Sequence, residues 1–147
     1  MIQRQPYGLN MQTNILIDLD IIIDVFLERV GFKSSSDIIQ LGEQETYDLY
    51  ISAHIVSTFA YLLENAKVPR LEILKHITWL LQVFNIVAID NVLIPKALKS
   101  NIVDFKDALI EQAALTSACQ TIITRNTKAF KLSIVRSSTP ENFLVEA

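Results

Sequence analysis

An α/β domain with four or five parallel strands sandwiched between two layers of helices is predicted by three observations. An unbroken apolar stretch, about Asn14–Asp18, ends in an acid, and a second acid follows at Asp20. Short β-prone runs alternate with longer stretches of helical spacing, the order that builds β/α units and parallel strands. The chain is 147 residues long and half apolar, enough for one sizeable core and no more.

The elements follow in order. Residues 1–13 are polar, hold Pro6 and Gly8, lack periodicity, and read as a flexible extension before a single domain at 14–147. By spacing alone, Met11 is an alternative start to Met1. After the first strand, Ile21, Ile22, Val25, Phe26 and Leu27 fall at helical spacing, and Gly31 is placed to cap that helix. Ser34, Ser35, Ser36 and Asp37 carry N-cap chemistry for a short helix through Ile38, Ile39 and Leu41. Leu49–Ser52 is a second strand, and Ile55, Phe59, Leu62, Leu63 and Ala66 stripe the helix after it. Pro69 opens a strongly apolar helix running to Phe84, residues 85–89 form a third strand, and residues 91–100 read as helix. Asp104 caps a helix at about Phe105–Ala118, Thr121–Thr124 is the fourth strand, and Ser133–Val135 the expected fifth. Thr139, Pro140 and Glu141 open a last helical turn.

Composition excludes several classes. No apolar run reaches the ~18 residues that would read as a membrane span. Met1–Asn10 has no apolar stretch of secretory type. A single cysteine, Cys119, permits no internal disulfide and fits a reducing compartment, so a cytoplasmic address is expected. Thirteen basic against sixteen acidic residues leave a formal charge of −3, which argues against a broad basic grip on nucleic acid. A nuclease whose site must be acidic to hold metal is not excluded.

In a parallel sheet the carboxyl ends of all strands share one rim, where ligands bind. The polar residues placed there are Asp18 with Asp20, Ser52 with His54, Asp90, and Thr124 with Asn126. Asp104 and Asp107 start the helix before the fourth strand and join that rim if the connection at 90–104 turns the right way. Three or four carboxylates converging would suit a hard divalent ion such as Mg2+ or Mn2+, which keeps several waters and bridges to phosphate. A bland role stands beside each sharp one. Asp18 and Asp104 suffice as helix caps, Asp20 gains from the helix dipole, and Asp24 reads as solvent-facing or locally paired. A turn accounts for Asn126, and solvation for Arg125 and Lys128. Cys119 and Trp79 read as core, or for Trp79 as subunit interface.

This ordered pattern resembles the PIN-domain family of metal-dependent ribonucleases. The resemblance rests on Ile15-Leu16-Ile17-Asp18-Leu19-Asp20 with Asp24, Glu28 and Arg29, on Ile51-Ser52-Ala53-His54 with Thr58-Phe59, on Asp104-Phe105-Lys106-Asp107-Ala108, and on Ile123-Thr124-Arg125-Asn126 with Lys128 and Phe130. It implies an α/β/α fold and metal-dependent cleavage of RNA, often as the toxin of a toxin–antitoxin pair, with a homodimer served by the apolar 71–84 helix. Carried over residue by residue, it implies Asp18, Asp107 and Asp104 as catalytic acids and Asp18, Asp107 and Asp20 as ligands of Mg2+ or Mn2+. Thr124, Asn126, Ser52 and Arg125 become the expected contacts to RNA. The chain departs from the family pattern at Thr58 and Ala129, which stand where acids are usual. Those departures favour the rival reading, a PIN-like module that has lost catalysis and binds RNA or protein.

Two other enzymes share the opening. A haloacid-dehalogenase-type phosphatase would use Asp18 as nucleophile and Asp20 as acid, with Thr124 and Lys128 in its later motifs. It would also need an acidic strand end after the lysine, and the last nineteen residues contain none. A phosphate-accepting receiver domain would use Asp90, but too many helices separate Asp18 from Asp90.

Overall fold

Ile15, Leu16 and Ile17 are fully buried, which makes β1 (Thr13–Ile17) the central strand of the sheet. A strand covered on both faces carries apolar residues without alternation. The computed structural model describes residues 13–146. Thr13 already pairs within the sheet, and the extension expected over residues 1–13 otherwise lies outside the described residues.

From β1 the chain runs through α1 (Leu19–Leu27), α2 (Phe32–Glu43), β2 (Tyr47–Ser52), α3 (Ala53–Asn65), α4 (Arg70–Val83) and β3 (Asn85–Val87). It continues through α5 (Leu93–Ala97), α6 (Phe105–Thr116), β4 (Thr121–Ile123), a 3₁₀ turn (Thr127–Phe130), β5 (Arg136–Ser138) and α7 (Pro140–Glu146). All pairings are parallel, in the order β3-β2-β1-β4-β5. Ile15 lies opposite Leu49 on one side and Thr121 on the other. Helices flank both faces of the sheet, the expected three-layer architecture. The outer strands are three residues each, with Asn85, Ile86 and Arg136 exposed, as short edges that resist further pairing should be.

This order has one functional consequence. The chain leaves β1 toward β2 and β3, then returns to build β4 and β5 on the other side. The strand order therefore reverses between β1 and β4. In open parallel sheets the crevice for ligands lies outside the carboxyl ends at such a reversal. Asp18 follows β1 and Thr124 follows β4, so both stand at that point.

One apolar core fills the space around the sheet, from Ile15–Ile17 through Ile51, Phe59 and Leu80 to Ile122 and Phe143. Phe26 packs its ring on Phe59 at 5.1 Å and on Trp79 at 5.5 Å, joining α1, α3 and α4. Cys119 is buried, and burial pushes its thiol up to about 11, so it stays protonated.

Several elements differ from expectation. Gly31 does not cap α1, which ends at Glu28 in the left-handed region (φ 49°). It precedes α2 with φ 86°, and α2 starts at Phe32 instead of at the serines. A Cβ at Gly31 would lie 2.8 Å from Nη2 of Arg125, so the backbone there must be bare for that side chain to approach. The fifth strand lies at Arg136–Ser138 and not at Ser133–Val135, because the Ser133 and Ile134 amides turn inward to the Phe130 carbonyl and the Glu111 carboxylate. The helix expected over 91–100 is confined to Leu93–Ala97 and holds Pro95.

Candidate active site

α1 starts immediately after β1, and that junction builds the site. Asp18 is the N-cap of α1, with Oδ1 accepting from the Leu19 amide at 2.8 Å. Its backbone N–H still donates to the Ile123 carbonyl, so the acid is fixed between the ends of β1 and β4. Its other oxygen, Oδ2, accepts from the Thr124 hydroxyl at 2.7 Å. In the first turn of α1, Asp20 Oδ2 accepts from the Arg125 backbone N–H at 3.0 Å. The Asn126 amide in turn donates to Thr124 Oγ1 at 3.0 Å. Three consecutive residues after β4 thus hold two carboxylates in place.

Both carboxylates face a cavity of about 320 Å³ whose lining includes Asp18, Asp20, Arg29, His54, Thr58, Lys106, Asp107 and Asn126. Apolar side chains complete the wall, among them Leu19, Ile23, Ile55, Leu62 and Ile110. Asp107 comes from the first turn of α6 and reaches the same cavity as Asp18. The connection after β3 therefore does bring α6 to the carboxyl rim.

Charge in the cavity is under tension. Burial raises the Asp18 carboxyl against its hydrogen bonds from Thr124 and Leu19 and the fields of Lys106 and His54. Burial and the neighbouring Asp18 charge push Asp20 up to about 7. Asp107 is raised by burial, with Lys106 opposing. Burial keeps His54 below its ordinary value, hence neutral near pH 7. Two buried atoms here have no hydrogen-bond partner among the described residues: Asp20 Oδ1 and His54 Nδ1.

An orphaned carboxylate oxygen beside a second desolvated carboxylate is a site short of positive charge. All-oxygen donors suit a hard cation, and such an ion is commonly bound through one or two carboxylates with most of its waters kept. The residues fit that mode, with Asp18, Asp20 and Asp107 all lining one cavity. Among the described residues no group of three or more acids, histidines or cysteines is placed to hold a metal ion.

Other expected site residues are placed differently. Asp104 does not line the cavity. Its Oδ1 caps α6 by accepting from the Lys106 and Asp107 amides, and its Oδ2 pairs with Lys106 at the surface. Thr124 is fully buried behind the carboxylates, so its hydroxyl orients Asp18 and does not meet solvent. Ser52 is also fully buried, with no partner for Oγ among the described residues, and does not face the cavity. Arg125 turns its guanidinium onto Asp24 and Glu141 and does not line the cavity. Asp24, expected to face solvent or pair locally, is 2% exposed and pairs with both Arg29 and the distant Arg125. Asn126 alone of the expected RNA contacts lines the cavity. The sequence did not single out Lys106, whose Nζ lies 3.2 Å from Asp104 and 3.9 Å from Asp107 at the cavity mouth. A lysine flanked by two acids in a helical first turn was the available signal.

A PIN domain family model matches residues 14–128, a span running from the strand that delivers Asp18 to the turn that anchors it. The chain belongs to the PIN domain family. PIN domains are generally dependent on a divalent metal. The fold is also that of several solved structures. VapBC2 from Rickettsia felis, bound to a promoter DNA fragment, superposes with a TM-score of 0.69 at 13% identity over 86% of this chain and 98% of that one. FitAcB from Neisseria gonorrhoeae gives 0.67 at 18% identity, covering 86% and 98%. A toxin–antitoxin complex from Klebsiella pneumoniae gives 0.65 at 22% identity, covering 86% and 97%. No curated protein matches the sequence.

Asp20 offers a direct check on the electrostatics of this PIN domain. A carboxyl held near 7 instead of 3.8 is protonated more readily in the native state than in the unfolded chain. Its stabilising effect is complete below 3.8 and is lost as pH rises through about 7. Ionised and without metal, it costs the native state about 2–4 kcal/mol. In EDTA, Asp20→Asn should therefore match wild type near pH 4 and melt roughly 6–12 °C higher at pH 8. Equal melting temperatures across that range would contradict the crowded carboxylate pair.

Proposed function

We propose that this PIN domain is a metal-dependent ribonuclease that hydrolyses RNA phosphodiesters. One observation carries the reading: Asp18, Asp20 and Asp107 face a single cavity at the point where the strand order reverses. Asp18, Asp20 and Asp107 would be the residues to hold Mg2+ or Mn2+ there. A divalent ion bound there supplies a nucleophilic water near neutral pH and offsets negative charge on the phosphate. The chain's own groups do the rest. Thr124 and the Arg125 amide keep the two carboxylates aimed into the cavity. Asn126 and the Lys106 ammonium meet the phosphate at the mouth. The apolar wall restricts water and leaves room for an unpaired nucleotide. His54, kept neutral by burial, lines the same wall, where Thr58 stands in place of the family's glutamate. Thr58 Oγ1 is itself bonded to the His54 carbonyl.

The toxin–antitoxin neighbours support an antitoxin as partner. Leu71, Leu74 and Leu81, exposed along α4, support a homodimer, which a monomeric mass in sedimentation would refute. A cytoplasmic setting accords with the lone, protonated Cys119. One observation favours a catalytically silent binding module: with Thr58 and Ala129 at usual acid positions, fewer acids gather than the family pattern implies. The test is cleavage of mixed-sequence RNA by the purified protein in millimolar Mn2+ or Mg2+, with EDTA as control. Cleavage only with metal, and heat of Mn2+ binding in calorimetry, is the expected result. Absence of both would leave the binding module as the better reading.

A further inference from the structure

The residue that follows Thr124 is more heavily bonded than any catalytic group. Arg125 Nε donates to Asp24 Oδ2 at 2.7 Å, Nη1 to Glu141 at 2.6 Å, and Nη2 to the Gly31 carbonyl at 2.8 Å and Ser35 Oγ at 3.2 Å. One side chain from the β4 loop is therefore fixed to α1, to the turn before α2, to α2 itself, and to α7. The neighbours are built to receive it. Gly31 has no Cβ where one would strike Nη2. Asp24 is buried yet held ionised, because hydrogen bonds from Arg125, Ser35 and Arg29 outweigh the cost of burial.

The backbone of the same residue faces the other way. Its N–H donates to Asp20, and the residues on either side carry the hydroxyl on Asp18 and the cavity-lining Asn126. We propose that Arg125 is a positioning residue, and that its ion pair with Glu141 makes the C-terminal helix α7 a part of the device that aims the Asp18–Asp20 pair. The inference rests on the metal-site reading of those carboxylates. Arginine suits this role through its rigid fork: four acceptors on separate elements define both the position and the tilt of the loop. Lysine keeps the charge but cannot engage all four. Groups that orient metal ligands from behind are typically worth 10–100-fold in metal affinity.

The test compares wild type with Arg125→Lys and Glu141→Gln, the second a milder change at the more exposed end of the pair. Three quantities are read: the urea midpoint, the Mn2+ dissociation constant by calorimetry, and hydrogen exchange at the residue 125 amide. Both variants are expected to fold, to bind Mn2+ about 10-fold or more weakly, and to lose at least about tenfold protection at that amide relative to the Ile122 amide in β4. A merely structural role would lower the urea midpoint and leave the other two readings at wild-type values, and that outcome overturns the proposal. Should wild type itself bind no Mn2+, the metal-site reading fails on its own, while the amide measurement still decides whether Arg125 and Glu141 hold the loop.

Discussion

Asp18→Asn is expected to lower metal-dependent RNA cleavage by about 10³-fold or more without unfolding the protein. The size follows from losing a group that holds the cation, since such an ion contributes several kcal/mol to stabilising the charge that develops in phosphoryl chemistry. The intact fold follows from local geometry. A carboxamide caps a helix as well as a carboxylate does, so the Leu19 amide keeps its acceptor. The amide nitrogen then sits where Oδ2 was and donates to Thr124 Oγ1. The hydroxyl is free to rotate its own proton to Asp20 Oδ2, already 3.5 Å away. Because burial disfavours the ionised Asp18, the variant should be at least as stable as wild type at pH 8 in EDTA. Single-turnover cleavage and urea denaturation on the same preparation check both halves. A variant that keeps cleavage within tenfold of wild type would remove Asp18 from the chemistry.

Local signals carried much of this site into view. An apolar run ending in an acid is hard to misread, because a charge at a strand tip is costly without a function or a partner, and Asp18 stands there with α1 beginning on it. Asp107 was legible through the spacing of Asp104 and Asp107 on one helical turn, though its rim depended on a connection that periodicity does not orient. What sequence spacing could not show was pairing across the fold. Asp24 and Arg125 are 101 residues apart; alone, Arg125 reads as a solvated loop charge and Asp24 as solvent-facing or paired with a near neighbour. Gly31 reads as a helix cap until the guanidinium it accommodates is in place. Thr124 reads as a substrate contact until the 2.7 Å bond to Asp18 turns it inward. Apolarity also misplaced β5: Val135 is core, but the ladder begins one residue later at an exposed arginine.

The buried acid predicts the largest loss of stability. Asp24→Ala removes one carboxylate that serves two arginines and a serine: Arg125 at 2.7 Å, Arg29 at 2.8 Å and Ser35 Oγ at 2.9 Å. Deleting one partner of a buried pair costs about 3–5 kcal/mol, and the loss here falls at the lower end because Arg125 keeps its bonds to Glu141 and Arg29 reaches solvent. Exposed pairs such as Lys75–Glu72 contribute about 0–1 kcal/mol and serve as the control. Against a total stability of about 5–15 kcal/mol for a domain of this kind, the loss is large. Urea denaturation at pH 7 should show it as a lower midpoint with unchanged slope. The pH dependence has a definite sign. Asp24 titrates below 3.8 in the folded protein, so its contribution is complete above that value and disappears as pH falls through the lower native one. The gap between variant and wild type should therefore narrow in acid. Replacing both ends, Asp24→Leu with Arg125→Met, should cost less than the two single changes added together, since neither charge is then stranded. A loss under about 1 kcal/mol for Asp24→Ala would mean that the four-element junction around Arg125 does not hold in solution, and the orientation of Asp20 would need another source.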